Sequence, residues 1–202
     1  MKLILITTPT YYVEEDQILT ALFEEGLDIL HLRKPQTSPV YAERLLTLLP
    51  EKYHDRIVVH DNFYLKDEYN LKGIHLNSRN PEIPANYSGH VSASCHSFEE
   101  VLAKKKETDY LFLSPIFDSI SKKGYQSAFT AEELKEASRK GIIDQNIIAL
   151  GGIDESTIEQ AKELNFGGVA LMGGLWSKFD SNSDFNYQEL LSHFRKFKRL
   201  IE

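Results

Sequence analysis

Short apolar, β-branched runs alternate along the chain with longer segments in which apolar residues recur every three or four positions. The runs at 3–7, 29–33, 57–60, 73–76, 90–94, 110–113, 147–150 and 169–172 are the length of buried strands. Between them, Ile18, Leu19, Leu22 and Phe23 fall on one face of 14–25, and leucines pattern 41–49. The tail at 187–201 repeats the pattern with Leu190, Leu191, Phe194, Phe197, Leu200 and Ile201. Helix starts are marked by capping boxes at Ser97 with Glu100 and at Thr130 with Glu133. Asp154 or Ser156 is the expected cap of a helix ending near Asn165. The interval 60–73 is short for a full helix, and 77–88, with Pro81 and Pro84, reads as a loop replacing another. Strand and helix alternating eight times predict an α/β fold, a (β/α)8 TIM barrel forming one domain over 1–202. A doubly wound open sheet would want glycines after the first strand, and Thr7, Thr8, Pro9, Thr10 and Tyr11 supply none.

Composition narrows the partners. The chain has 202 residues and a formal net charge of -7, which argues against general binding to nucleic acid or anionic membrane. No apolar run approaches the ~20 residues that cross a bilayer, and the opening apolar stretch reads as the first strand rather than a signal peptide. The lone Cys95 excludes an internal disulfide or a multi-cysteine zinc site and suits a cytoplasmic protein.

In a parallel barrel, function sits at the carboxyl ends of the strands. There the chain places Thr7 and Thr8, then His31, Arg33 and Lys34, then His60 and Asp61, then His75 and 77–80. Ser94, His96, Ser114 and Pro115 follow, and the last two strands end in Gly151 with Gly152 and Gly173 with Gly174. Paired glycines let an oxyanion approach backbone N–H groups, and they equally make tight turns. A partly basic rim beside them, in an acidic protein, favours small phosphorylated substrates. His31, His60 and His75 read most simply as hydrogen-bonded interior residues, and the absence of HxH or HExxH spacing argues against zinc. The loop after the sixth strand, with Ser119, Ser121, Lys122 and Lys123, is built to close over a phosphate.

These motifs, in this order, resemble the thiamine phosphate synthase and thiazole tautomerase superfamily from Leu3 to about Trp176. Leu30, His31, Leu32, Arg33 and Lys34 resemble its QLRxK element, and Val58 to Asp61 with Gly73 to Leu76 resemble its IND and GVHL elements. Ser94, Cys95 and His96 are similar to its GxSxH helix start. Asp109, Tyr110, Pro115 to Phe117 and Ser119 to Lys122 are similar to its DYxxxGPxFxTxTK loop, and Ala149 to Ile153 to its IGGI strand.

The resemblance implies a synthase joining hydroxymethylpyrimidine pyrophosphate to thiazole phosphate with release of pyrophosphate. It implies that Arg33, Lys122 and Ser94 stabilise the departing pyrophosphate, with His31, Lys34 and His60 completing the pyrimidine and pyrophosphate pocket. Ser119, Ser121, Gly151, Gly152, Met172 and Gly173 would hold the thiazole phosphate, and Asp61 with Asn80 would bind Mg²⁺. Four positions depart from the pattern: His31 replaces a glutamine, His60 an asparagine and Asn80 the second magnesium aspartate, while Pro35 takes a lysine position. The alternatives are a thiazole tautomerase-like isomerase, whose histidine at the end of strand six is Pro115 here, and a non-catalytic thiazole-phosphate or thiamine-phosphate binding protein. Oligomeric state is not encoded in these patterns.

Overall fold

Each of the eight apolar runs forms one strand of a closed parallel barrel in the computed structural model, which describes residues 1–118, 127–177, 179 and 187–202. The strands are β1 (Lys2–Ile6), β2 (Ile29–Leu32), β3 (Ile57–Val59), β4 (Gly73–Leu76), β5 (His90–Cys95), β6 (Tyr110–Leu113), β7 (Ile147–Leu150) and β8 (Gly168–Leu171). Each pairs with its sequence neighbour, and β8 closes on β1 through the register Leu3 with Val169 and Ile4 with Ala170. The expected barrel is therefore the observed one.

Alternation along these strands builds two cores. Ile4, Ile6, Ile29, Val58, Tyr110, Phe112, Ile148 and Ala170 fill the barrel interior. The intervening positions, such as Leu3, Leu5, Leu30, Ile57 and Val169, face the helices and join a larger cluster. Strand residues that share the inward parity but are polar, namely His31, His60, His75 and Ser92, are thereby carried into the interior.

The covering helices are α1 (Glu15–Glu24), α2 (Pro39–Leu48), α3 (Leu65–Glu68), α4 (Phe98–Lys104), α5 (Ala131–Arg139), α6 (Ile158–Glu163), α7 (Gly173–Trp176) and α8 (Gln188–Ile201). As the spacing predicts, α3 is a single turn and no helix lies between β4 and β5. Thr130 makes the full capping box with Glu133. At Ser97 the hydroxyl accepts from Glu100 N–H as expected, but the Glu100 carboxylate takes the His96 N–H. The cap expected at Asp154 or Ser156 is corrected. Asp154 Oδ1 accepts from the Ser156 and Thr157 N–H groups in a turn, and the helix starts later, at Ile158. The short α7 carries no periodic signal of its own, being a single turn. It is pinned by Trp176 Nε1–H donating to Ile6 O at 2.8 Å. Among the described residues, no helix is long and apolar enough to cross a membrane.

Candidate active site

The floor of the barrel mouth is a polar layer resting on the apolar interior. His31 reaches His60 (Nδ1 to Nε2, 2.8 Å) on one side and the Tyr110 hydroxyl (2.5 Å) on the other. His75 lies between the hydroxyls of Ser92 (2.9 Å) and Ser94 (2.8 Å), and its ring stacks on His60 with centroids 4.2 Å apart. Burial opposes charging these rings, because an imidazolium would lose its hydration there. His31 and His60 are held well below the ordinary histidine range, and His75 at about 3, chiefly by burial. The layer is thus a set of neutral imidazoles, each able to offer one donor and one acceptor.

Barrel closure brings together histidines that the sequence keeps far apart. One ring nitrogen from each of His31, His60 and His75 lies within 4.8 Å of the others. Both nitrogens of His31 and both of His75 have hydrogen-bond partners, and His60 bonds His31 through Nε2, so the three rings are linked to the surrounding hydroxyls as a network.

Above this floor the groups become charged. Arg33, anchored through its N–H to Thr7 Oγ1 (3.0 Å), is half-buried. Its guanidinium is pulled below its ordinary range by burial and by the charge of Arg79, an effect opposed by Asp61. Asp61 receives two bonds from Arg79, Nε to Oδ1 at 3.2 Å and Nη2 to Oδ2 at 3.1 Å, and a third from Asn80 Nδ2 at 3.0 Å. Asn77 and Asn80 both donate to His60 O, tying the end of β4 to the end of β3. Lys104 donates to Ser94 O at 3.2 Å. Arg33, Asp61, Asn80, Ser94, His31 and His60 are thereby brought to one mouth.

Lys34 is placed differently. Its ammonium is buried against Glu15 Oε1 at 2.5 Å, donates to Thr10 O at 2.9 Å, and lies 4.5 Å from the Tyr11 ring centroid. Burial raises the Glu15 carboxyl to about 7 against the pull of Lys34. Its charge is committed to fastening the β1–α1 loop, which leaves it no part in an anion site in this arrangement. Cys95 is a fully buried filler whose thiol burial pushes up to about 11.

On the opposite rim, Gly151 and Gly152 have φ of 91° and 65°. A Cβ on Gly152 would meet Asp118 O at 2.5 Å, and one on Gly151 would meet Pro115 Cα at 2.8 Å. These glycines are therefore required by the close approach of the loop after β6. Met172 precedes α7, which opens at Gly173. Ser119, Ser121 and Lys122 lie outside the described residues. Sequence patterns do not single out Arg79 or Glu15, and they give Tyr110 only as a motif position, not as a partner of His31. The usable signals were the inward parity of Tyr110 and the adjacency of Arg79 to Asn80.

A closed parallel barrel with guanidiniums, hydroxyls and a carboxylate at the carboxyl ends of β2 to β5, and glycines across the mouth, belongs to the class of barrel enzymes that handle small phosphorylated substrates. The thiamine monophosphate synthase family model matches residues 3–175. The chain belongs to that family. A crystal structure of thiamine phosphate pyrophosphorylase from Bacteroides thetaiotaomicron is 58% identical, has a TM-score of 0.92, and aligns over 100% of this chain and 98% of its own. Thiamine-phosphate synthase from Clostridium tetani is 29% identical over 166 residues, 77% of each protein. Thiamine phosphate pyrophosphorylase from Pyrococcus furiosus, at 16% identity and a TM-score of 0.76 over 99% of this chain and 95% of its own, shares the fold.

Proposed function

We propose that the protein is a thiamine phosphate synthase, joining hydroxymethylpyrimidine pyrophosphate to thiazole phosphate and releasing pyrophosphate. The observation that carries this reading is the mouth between β2 and β5, where Arg79 is paired with Asp61, Arg33 is influenced by both, and Ser94 bonds His75 in the floor below. When the bond to pyrophosphate breaks, negative charge grows on the leaving oxygens. Preorganised cations and hydroxyls stabilise that growth more than they stabilise the ground state. The buried imidazoles of His31, His60 and His75 form the neutral floor that receives the pyrimidine and excludes water from the cation left behind. Gly151, Gly152, Met172 and Gly173 hold the thiazole phosphate, a positioning role that aims the thiazole nitrogen at the pyrimidine methylene. No general base is required.

The Asp61 carboxylate suits a hard divalent cation, and Asn80, whose Nδ2 donates to Asp61 Oδ1 in this arrangement, would turn its amide oxygen to the ion, so Asp61 and Asn80 would hold Mg²⁺. Bound there, the ion supplies positive charge to the pyrophosphate oxygens. The same reading puts the enzyme in the cytoplasm, where a lone buried thiol such as Cys95 stays reduced. Purified protein given both substrates and Mg²⁺ is expected to form thiamine phosphate, and Asn80→Asp to lower the Mg²⁺ concentration needed. Absence of product while thiazole phosphate still binds would overturn the synthase reading. Proton exchange on a thiazole carboxylate phosphate would then favour an isomerase, and its absence a binding protein.

A further inference from the structure

We propose that Arg79 is a built-in counter-cation of the pyrophosphate site, held on Asp61 in the unliganded protein and transferred to the diphosphate when it binds. This rests on the synthase reading given above. The backbone around Arg79 is fixed: Asn77 and Asn80 exchange two N–H to O bonds of 3.1 Å, and Arg79 N–H donates to Asn77 Oδ1 at 3.0 Å. The side chain is not fixed in the same way. It is 36% exposed, and its described partner is the Asp61 carboxylate. At this exposure water and other anions reach the pair, so the guanidinium can exchange its partner. A guanidinium fork that fits two carboxylate oxygens fits two phosphate oxygens equally well.

The charge count points the same way. Asn80, which donates to Asp61 Oδ1 through its Nδ2 at 3.0 Å, brings no negative charge to the mouth. Arg79, at the adjacent position, adds one positive charge. Half-buried Arg33 is close enough for its guanidinium to be influenced by both Arg79 and Asp61, so among the described residues two guanidiniums act on the Asp61 carboxylate. A diphosphate would relieve the repulsion between them.

Four measurements separate this role from that of an ordinary surface ion pair. Inorganic pyrophosphate should bind in excess EDTA. Arg79→Gln should weaken that binding by about tenfold to a hundredfold, the range expected for losing hydrogen bonds to a charged group. The same variant, with Asp61 released, should bind Mn²⁺ several-fold more tightly than the parent by electron paramagnetic resonance. Asp61→Asn, which frees the guanidinium, should strengthen metal-free pyrophosphate binding. The inference is overturned if calorimetry finds no metal-free binding to the parent protein, or equal binding by parent and Arg79→Gln, or Mn²⁺ affinity unchanged by that variant. Matching thermal melts establish that each variant is folded. If thiamine phosphate is never formed yet these binding results hold, the synthase reading fails and the anion site stands. If product forms and Arg79→Gln changes neither ligand, the reverse follows.

Discussion

Lys34 and Glu15 show how burial decides what a charged residue is for. With side-chain exposures of 3% and 2%, neither is hydrated, and each has the other as its ionic partner. Removing one partner leaves an uncompensated buried charge. Glu15→Gln is therefore expected to destabilise the protein by ~3–5 kcal/mol, measured by urea unfolding. Replacing the pair together, Glu15→Leu with Lys34→Met, should recover most of that loss because no buried charge remains. The double variant also tests a role for Lys34 in substrate binding. Unchanged KM for the pyrimidine pyrophosphate would mark the lysine as structural, and a large increase would return it to the anion site. Lys34 was legible as a rim cation because the end of β2 is legible. Its partner was not, since Glu15 lies in the first turn of a helix, where acidic residues are ordinarily capping or solvated.

At the scale of elements, the strands and most helices could be read because their signals are local. Period-two and period-3.6 patterns and capping residues lie within a few positions of the structure they specify. Thr130 is the clear instance: its hydroxyl accepts from Glu133 N–H while the Glu133 carboxylate takes the Thr130 N–H. Thr130→Ala should cost about 1 kcal/mol of stability, seen as a lower urea midpoint, with synthase activity unchanged at temperatures where the fold persists. A drop in activity without a drop in stability would mean that α5 shapes the site directly. Signals fail where competing local partners exist. Asp154 has the composition of a cap, but its carboxylate is taken by a turn before the helix begins. The glycines after β7 could be read as a cup or as a turn. Their positive φ and the approach of Pro115 and Asp118 required the third dimension to become visible.

Across the whole molecule, the least legible feature is the convergence of residues from β2, β3, β4 and β6 into one buried layer of imidazoles and a phenol. Barrel closure, not sequence proximity, brings these residues together, and the consequence is a pH dependence belonging to the whole fold. In the unfolded chain a histidine takes up its proton near ~6.5. In the folded protein burial keeps His31 and His60 neutral far below that, His75 down to about 3 and His90 to about 4. Below ~6.5 the unfolded state thus binds more protons, and stability falls as pH falls. Glu15 acts in the opposite sense. Its folded value near 7 lies above that of the unfolded chain, so its contribution grows on acidification. Four depressed imidazoles outweigh one raised carboxyl, so the urea midpoint should decrease between pH 7.5 and pH 5.5, above the ordinary carboxylate range. His31→Gln, which supplies an amide in place of one imidazole, should flatten that decrease whatever its effect on the midpoint at pH 7.5. A slope unchanged by the substitution would show that the imidazole layer does not set the acid limit of this barrel.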